Sequence, residues 1–346
     1  MNRSTHNYWL TCFAIFTAFA TLILVCVGGL VTSHEAGMAV PDWPNSYGYN
    51  MFLFPISKWV GNILYEHTHR LVASWVGVLT TILAIWLWCK DSRPWLRKLG
   101  FIAFVAVLLQ GILGGLRVTQ MKDEIGIFHA ILAQLFFIVV SSIALFTTQF
   151  WQNLLPLNNR GNRLKFFYLT ATLLIFLQLL LGAVMRHQHA GLAIPDFPAA
   201  YGKIWPDLDA ASVAVYNQNR IETGGYKEIT VFQIALQMAH RIGAILILIS
   251  VMVCAWKTSR EFHLQSPLTK LSLAWVALIL IQIFLGAATI WKGKAADIAT
   301  AHVAVGAISL LTGAFLCLIS FRVLRPTQEI SLPEKILKPL AISEVI

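Results

Sequence analysis

Charged residues are scarce in this chain of 346 residues, of which 12% are charged and 57% are hydrophobic. The mean hydropathy is +0.68. Soluble domains carry about 25% charged residues, so this composition excludes an ordinary soluble domain. Cysteine is also scarce, and its five residues lie in or beside apolar runs: Cys12, Cys26, Cys89, Cys254 and Cys317. We therefore expect no disulfide on the oxidising side of a membrane, and we interpret these cysteines as small buried side chains.

Long apolar runs are abundant, and each is long enough to cross a bilayer as a helix. They lie near residues 10–31, 68–88, 99–117, 126–149, 165–186, 233–256, 268–290 and 298–322. The first run lacks a small-residue cleavage site, so we interpret it as a retained helix and not as a signal peptide. The sequence predicts an all-α integral membrane protein with eight transmembrane helices.

The distribution of basic residues predicts the orientation in the membrane. If the N-terminus is cytoplasmic, the inner segments hold most of the Lys and Arg residues, including Arg93, Arg97 and Lys98. This is the positive-inside pattern, and it places both termini in the cytoplasm and the chain in the cell inner membrane. The net charge of +10 is then explained by topology and by contact with anionic membrane lipid. Nucleic acid is not needed as a partner.

Two stretches of the chain are nearly the same. Residues 36–48 read AGMAVPDWPNSYG and residues 190–202 read AGLAIPDFPAAYG, and each follows a long apolar run. An even number of spans in each copy preserves its orientation, so the duplication predicts two four-helix bundles related by a pseudo-twofold axis along the membrane normal. We expect an N-terminal bundle at 1–155, a C-terminal bundle at 156–325 and a cytoplasmic tail at 326–346.

Four histidines occupy equivalent places in the two copies. His69 and His240 open the second span of each half, and His129 and His302 lie near the start of the fourth. We expect each pair near the outer face of the membrane, where two imidazoles across a bundle can serve as axial ligands of a haem iron. The alternative is that each histidine only forms hydrogen bonds at the interface. Zinc fits less well, because Cys and carboxylate ligands are not arranged for it.

The most informative difference between the halves precedes the first histidine. The first half reads Glu66-His67-Thr68-His69-Arg70, whereas the second has Gln237 in place of Glu66. Residues three apart share a helix face, so the carboxylate of Glu66 can reach a haem bound at His69. Because a carboxylate accepts protons and an amide does not, we predict that the first half performs the chemistry. The alternative is that Glu66 only orients a histidine or pairs with Arg70.

Arginines follow both ligand histidines in the sequence. Arg70 and Arg241 either neutralise haem propionates or anchor the helix at the membrane interface. Arg117 and Arg186, which end outward-running spans, are weaker candidates for the same role. Three histidines of the outer loops lack clean counterparts, and we expect surface or loop-packing roles for them: His34, His187 and His189.

This set of features resembles the haem A synthase family over nearly the whole chain, to about residue 325. The resemblance rests on eight spans in two copies, Glu-x-x-His-Arg and Gln-x-x-His-Arg opening the second span of each, and a histidine opening each fourth span. It implies oxidation of a methyl group of haem O to a formyl group, by successive hydroxylation, to give haem A for cytochrome oxidase. Some bacterial members carry a cysteine pair in the first outer loop, and this chain has none there.

The resemblance also implies roles for individual residues and partners. His69, His129 and Arg70 would hold the substrate haem with Glu66 as the catalytic carboxylate, and the C-terminal half would hold a haem b. Its ligands would be His240 and His302 beside Arg241. The implied partners are a haem O synthase, the assembly of cytochrome oxidase and an unidentified electron carrier, and a homo-oligomer is compatible with them.

Two other functions share the four histidines. One is a dihaem b-type protein that oxidises a quinol and transfers electrons without making a new haem, and it would not need Glu66 for turnover. The other is a haem carrier or oxidase-assembly factor with no redox step. A transporter fits less well, because the spans lack paired helix breaks at the midplane.

Overall fold

The computed structural model describes residues 7–155, 163–222 and 228–324, so the predicted tail at 326–346 lies outside the described residues. Within these ranges, eight helices are long and apolar enough to cross a membrane, and the only β pairing consists of isolated bridges. The prediction of an all-α membrane protein with eight spans is confirmed. The eight helices are α1 (Tyr8–Ser33), α2 (Asn62–Lys90), α3 (Pro94–Thr119), α4 (Asp123–Thr147), α6 (Leu164–His187), α8 (Val231–Glu261), α9 (Pro267–Trp291) and α10 (Ala296–Val323).

Two further helices lie between the spans: α5 (Gln149–Gln152) and α7 (Ala210–Glu222). Helix α7 belongs to the second outer loop and was not predicted from the sequence. Its 13 residues are too few and too polar to give a membrane-span signal. Short 3₁₀ turns complete the outer loops at Met51–Leu53, Ile56–Lys58 and Ala190–Leu192.

The starts of the helices follow from local chemistry. The side chain of Asn7 accepts a hydrogen bond from the Leu10 N–H at 3.1 Å and so caps α1. Thr230 and Gln233 form a reciprocal capping box at the start of α8. Helices α3 and α9 each begin with a proline, whose missing N–H costs nothing in the first helical turn.

Helix α2 begins six residues before its predicted span, and helix α8 begins two residues before its own. Hydropathy misses the first turns of α2 because they contain Glu66-His67-Thr68. His69 therefore lies in the third turn of its helix and not at its start. The same holds for His240, which lies nine residues after Val231, the first residue of α8. Helical residues therefore precede and follow each of these two histidines.

Helix contacts are organised by halves. Helix α1 packs against α2 and α4, and α3 packs against both α2 and α4, so the first four spans form a closed ring. Helices α6, α8, α9 and α10 form the same ring in the second half, and the halves meet where α1 contacts α10 and α4 contacts α6 and α10. The pseudo-twofold symmetry and the cytoplasmic position of the termini stay predictions.

The two duplicated loops fold alike. The carboxylate of Asp42 accepts hydrogen bonds from the backbone N–H groups of Tyr47 at 2.7 Å and Gly48 at 2.8 Å. Asp196 makes the same two bonds, five and six residues further on, at 2.7 and 2.8 Å. The glycine at the end of each turn has a φ of +77° or +73°, a conformation that side chains disfavour. The two turns therefore have the same specific backbone conformation.

Candidate functional site

One large cavity is lined by helices of both rings and has a volume of about 1730 Å³. Pockets for a single small ligand are usually about 300–1,000 Å³, so this cavity has room for more than one. Its lining includes all four predicted ligand histidines, His69, His129, His240 and His302, together with Glu66. The residues that the duplication singled out are therefore brought together in one continuous space.

Each histidine ring of the first half packs against a glycine of the neighbouring helix. A Cβ atom at Gly28 would lie 3.2 Å from Cε1 of His69, and one at Gly114 would lie 3.5 Å from Cε1 of His129. The amide of Gln110 also donates a hydrogen bond to the His129 carbonyl at 3.0 Å. The glycines thus form seats for the imidazole rings, a role that the sequence did not predict.

The second half has the same two seats. A Cβ atom at Gly182 would lie 3.4 Å from Cε1 of His240, and one at Gly286 would lie 3.1 Å from Cε1 of His302. The amide of Gln178 donates to the His240 carbonyl at 2.7 Å. The duplication has therefore preserved the placement of two histidine pairs.

The histidine rings also carry unused hydrogen-bonding capacity. The Nδ1 atom of each of the four is buried and has no hydrogen-bond partner among the described residues. Burying an unpartnered polar group costs free energy, and such groups in a membrane protein are a functional signal. In the described ranges no group of three or more His, Cys, Asp or Glu side chains comes together. Pairs of imidazoles fit a haem iron, which takes two axial ligands, better than zinc.

Glu66 is buried, with 3% of its surface exposed, and both of its carboxylate oxygens are engaged. Oε2 accepts a hydrogen bond from the Val40 N–H at 2.8 Å, and Oε1 pairs with Nη2 of Arg70 at 2.7 Å. The contact with Arg70 was the alternative considered from the sequence, and it is present. Because Glu66 also lines the cavity, the contact does not remove it from the site.

The guanidinium of Arg70 holds the first loop against α2. It donates to the backbone carbonyls of Val40 at 2.6 Å, Asp42 at 2.7 Å and Asn45 at 3.0 Å. These three hydrogen bonds show that Arg70 fixes the first loop to α2. Its role toward haem stays a prediction.

The second half repeats this arrangement without a carboxylate. Oε1 of Gln237 accepts from the Ile194 N–H at 2.6 Å, and Arg241 donates to the carbonyls of Asp196 at 2.6 Å and Ala199 at 2.8 Å. The amide Nε2 of Gln237 donates to backbone carbonyls instead of pairing with the arginine. The two halves therefore differ here in one charge and hardly at all in geometry.

His67 is a buried residue that sequence reasoning did not single out. It has no exposed surface, and its Nδ1 atom lies 3.2 Å from Oγ of Ser46. Its ring packs against Phe54 and Trp59. Its counterpart in the second half is Met238. His67 ties the first loop to α2 and is not among the residues that line the cavity.

The three histidines that were expected in the loops line the cavity, and His187 is the last residue of α6. His34 stacks on Tyr65 with ring centroids 4.0 Å apart. Nδ1 of His189 lies 3.8 Å from Glu35, and a Cβ atom at Gly126 would meet the ring of His187. These contacts agree with the expected loop-packing roles.

Arg186 links the two halves near the cavity. From the end of α6 it donates to the Gly29 carbonyl at 2.8 Å and to Oγ of Ser33 at 2.7 Å, both at the end of α1. A Cβ atom at Gly126, three residues before His129, would lie 3.0 Å from Nε of Arg117. Both arginines line the cavity, so each bundle contributes a cation to it.

Comparison with known proteins identifies the family of the chain. Residues 54–314 match the family model described as cytochrome oxidase assembly protein. A protein named haem A synthase from Halalkalibacterium halodurans is 28% identical over 90% of this chain and 96% of its own length. Proteins of the same name from Alkalihalophilus pseudofirmus and Shewanella oneidensis are 26% and 24% identical, over 87% and 86% of this chain and 93% and 92% of their own lengths.

The family match spans more than half of the chain and includes Glu66 and all four histidines. The resemblance drawn from the residues is thereby confirmed. The chain belongs to the family of cytochrome oxidase assembly proteins that includes these haem A synthases.

Proposed function

We propose that this chain is an oxidoreductase of the cell inner membrane that converts haem O to haem A. The observation that carries the proposal is the pair of matched histidine sites in one cavity, of which only the first has a carboxylate. The names of the relatives support the same activity. The reaction converts one methyl group of the porphyrin to a formyl group by two hydroxylations and loss of water.

Basic residues in the lining of the cavity support the binding of haem. Two anionic side chains line it, Glu35 and Glu66, and six cationic ones: Arg70, Arg117, Arg186, Arg220, Arg241 and Lys294. Haem propionates are anions, and arginine side chains bind carboxylates well. Arg117 and Arg186, which line the cavity, are well placed for this role.

The first half, residues 1–155, is proposed to hold the substrate. His69 and His129 would bind the iron of haem O, and their glycine seats fix the rings so that the macrocycle lies at a defined place in the cavity. Glu66 lies three residues from His69 on the same helix, so its carboxylate is on the same side. The Val40 N–H and Arg70 hold that carboxylate in place.

The second half, residues 156–325, is proposed to hold a haem b between His240 and His302. When bound, haem iron supplies the redox chemistry that protein side chains lack. The chain itself orients the imidazoles, excludes water from an apolar cavity and provides proton acceptors. Oxidation of a methyl group releases protons, and Glu66 is the acidic group that lines the cavity beside the first histidine pair.

The proposed setting follows from the topology and the family. The histidine pairs would lie toward the outer face of the membrane, with haem O arriving from a haem O synthase through the lipid phase. The product would be used in cytochrome oxidase assembly. An electron carrier of unidentified kind would connect with the haem b in the second half.

Haem extraction tests the proposed function directly. The chain would be expressed in a host that makes haem O but no haem A, and the haems identified by chromatography and mass spectrometry. We expect haem A or its hydroxylated intermediate to appear. If a well-folded protein with an electron supply yields only haem b and unmodified haem O, an electron-transfer protein or a haem carrier is the better account.

Histidine variants test the division between the halves. His240→Ala or His302→Ala should remove the low-spin haem b spectrum of the purified protein, because each removes one of two axial ligands. His69→Ala should keep that spectrum and lose haem A production. A haem b spectrum that survives both changes in the second half would place the ligands elsewhere.

A further inference from the structure

The two histidine sites differ in the space beside them, on the side away from the duplicated loops. In the first half Gly77 on α2 and Gly111 on α3 lie where the second half has Leu248 on α8 and Ile283 on α9. A Cβ atom at Gly77 or Gly111 would meet no other atom within 4 Å. Leu248 and Ile283, in contrast, pack against the hydrophobic core. The first half is therefore open where the second half is filled.

The cavity extends into this opening in the first half. Its lining continues along α2 and α3 past the histidine pair, and we call the residues of this extension the side cleft: Gly77, Val78, Thr81, Ile82, Leu108 and Gly111. On α8 the lining ends at Ile247, so it does not reach the counterparts of Val78, Thr81 and Ile82. On α9 the lining includes Ile279 and Ile283 but not Leu280, the counterpart of Leu108. The extension along α2 is therefore a property of the first half.

The side cleft is apolar and opens toward the lipid. Val78 is 49% exposed, Ile82 is 43% exposed and Leu108 is 51% exposed, all on helices that span the membrane. Gly77 lies about two helical turns, or ~12 Å, along α2 from His69. A flexible apolar chain attached to a macrocycle at His69 and His129 would therefore enter the cleft, while the macrocycle stays between the imidazoles.

We propose that the side cleft binds the isoprenoid chain of the substrate haem and selects haem O over haem b for the first half. The inference rests on the proposed function. Haem O carries a long isoprenoid chain where haem b carries only a vinyl group, and apolar chains gain free energy from burial in an apolar site. Leu248 and Ile283 deny the second half this space, so that half keeps a haem without the chain.

Filling the cleft tests the proposal. The double variant Gly77→Leu/Gly111→Ile copies the second half, and Gly77→Ala/Gly111→Ala is its matched control with small side chains. Each purified protein, with its first site emptied, would be titrated separately with haem O and with haem b. We expect the filled variant to bind haem O at least tenfold more weakly, about 1.4 kcal/mol, and haem b unchanged. The low-spin haem b of the second half reports folding.

Two results would overturn the proposal: unchanged binding of haem O, or an equal loss of both haems. If the filled variant fails to fold, the converse variant Leu248→Gly/Ile283→Gly decides. Expressed in a host that makes haem O, it should carry haem O in the second half. Haem b alone at that site would contradict the selection by the cleft.

The test separates this inference from the proposed function. If the wild-type protein prefers haem O at the first site but never yields haem A, the result would support the role of the side cleft and contradict the proposed synthase function. If the wild-type protein makes haem A and the filled variant binds haem O normally, the result would support the synthase function and contradict the role of the side cleft.

Discussion

The Nη2 atom of Arg70 lies 2.7 Å from Oε1 of Glu66, and both side chains are buried. In the second half Gln237 and Arg241 occupy the equivalent places and fix the equivalent loop to its helix, but they form no ion pair. The two halves thus share the same pattern of hydrogen bonds between loop and helix, and only the first half has a carboxylate in it. A fold that works without the charge in one copy has no structural need for it in the other.

Removal of the two loop-clamping arginines should have unequal costs. Arg70→Ala leaves a buried carboxylate without its cation and should destabilise the protein by about 3–5 kcal/mol. Arg241→Ala leaves only backbone carbonyls unpaired and should cost about 1–3 kcal/mol. Thermal unfolding of both variants in one detergent, followed by circular dichroism, measures the difference. Equal losses would mean that the Glu66–Arg70 pair contributes nothing specific.

The glycine seats predict which small substitutions disturb haem b. Gly286→Ala places a methyl group 3.1 Å from the His302 ring and should displace it, lowering haem b content severalfold. Gly182→Ala is the matched control, because its 3.4 Å contact with His240 is an ordinary one. Haem b per protein would be measured by pyridine haemochrome. Equal haem content in the two variants would contradict the seat assigned to Gly286.

Trp43 and Gly115 form a size-matched pair over the first half of the cavity. A Cβ atom at Gly115 would lie 2.4 Å from the Trp43 ring, and the second half has Phe197 and Ala287 at these two places. Gly115→Ala should therefore destabilise the protein, and adding Trp43→Phe should recover about 0.5–3 kcal/mol of the loss. Thermal midpoints of the single and double variants test this coupling. Additive effects would show that the pair does not interact.

Asp42 should make the first loop sensitive to acid. Although partial burial opposes it, the hydrogen bonds from the Gly48 and Tyr47 N–H groups lower the pKa of this carboxyl below its ordinary value of 3.8. A lowered folded-state pKa means that the stabilisation is present above the ordinary value and is lost as the pH falls through the folded pKa. Asp42→Asn should therefore lower the thermal midpoint at pH 7 and have less effect near pH 3. A constant difference would contradict this account.

The sequence predicted the spans and the ligand candidates for clear physical reasons. Apolar runs of bilayer length determine the spans, and the internal duplication separates His69, His129, His240 and His302 from the other histidines. One substitution in the copy, Gln237 for Glu66, identified the half with the extra charge. These signals lie within the chain itself and need no knowledge of its three-dimensional packing.

Other parts of the site depend on which helices become neighbours. Gly28 and Gly286 look like general packing residues until their contacts with His69 and His302 are known. The loop carbonyls bound by Arg70 and the side cleft at Gly77 likewise require the positions of other segments. The start of α2 was misplaced because polar residues of the site interrupt the hydropathy signal there.

The most direct test of the central claim compares Glu66→Gln with Gln237→Glu in a host that makes haem O but no haem A. Glu66→Gln keeps an acceptor for the Val40 N–H and removes the negative charge and the ion pair with Arg70, as in the second half. We expect it to retain haem b and to lower haem A formation by about 10²–10⁴-fold, the usual contribution of an acid–base group. Gln237→Glu, the matched change in the other half, should still make haem A. Normal haem A formation by Glu66→Gln would contradict the claim that the first half performs the chemistry through its carboxylate.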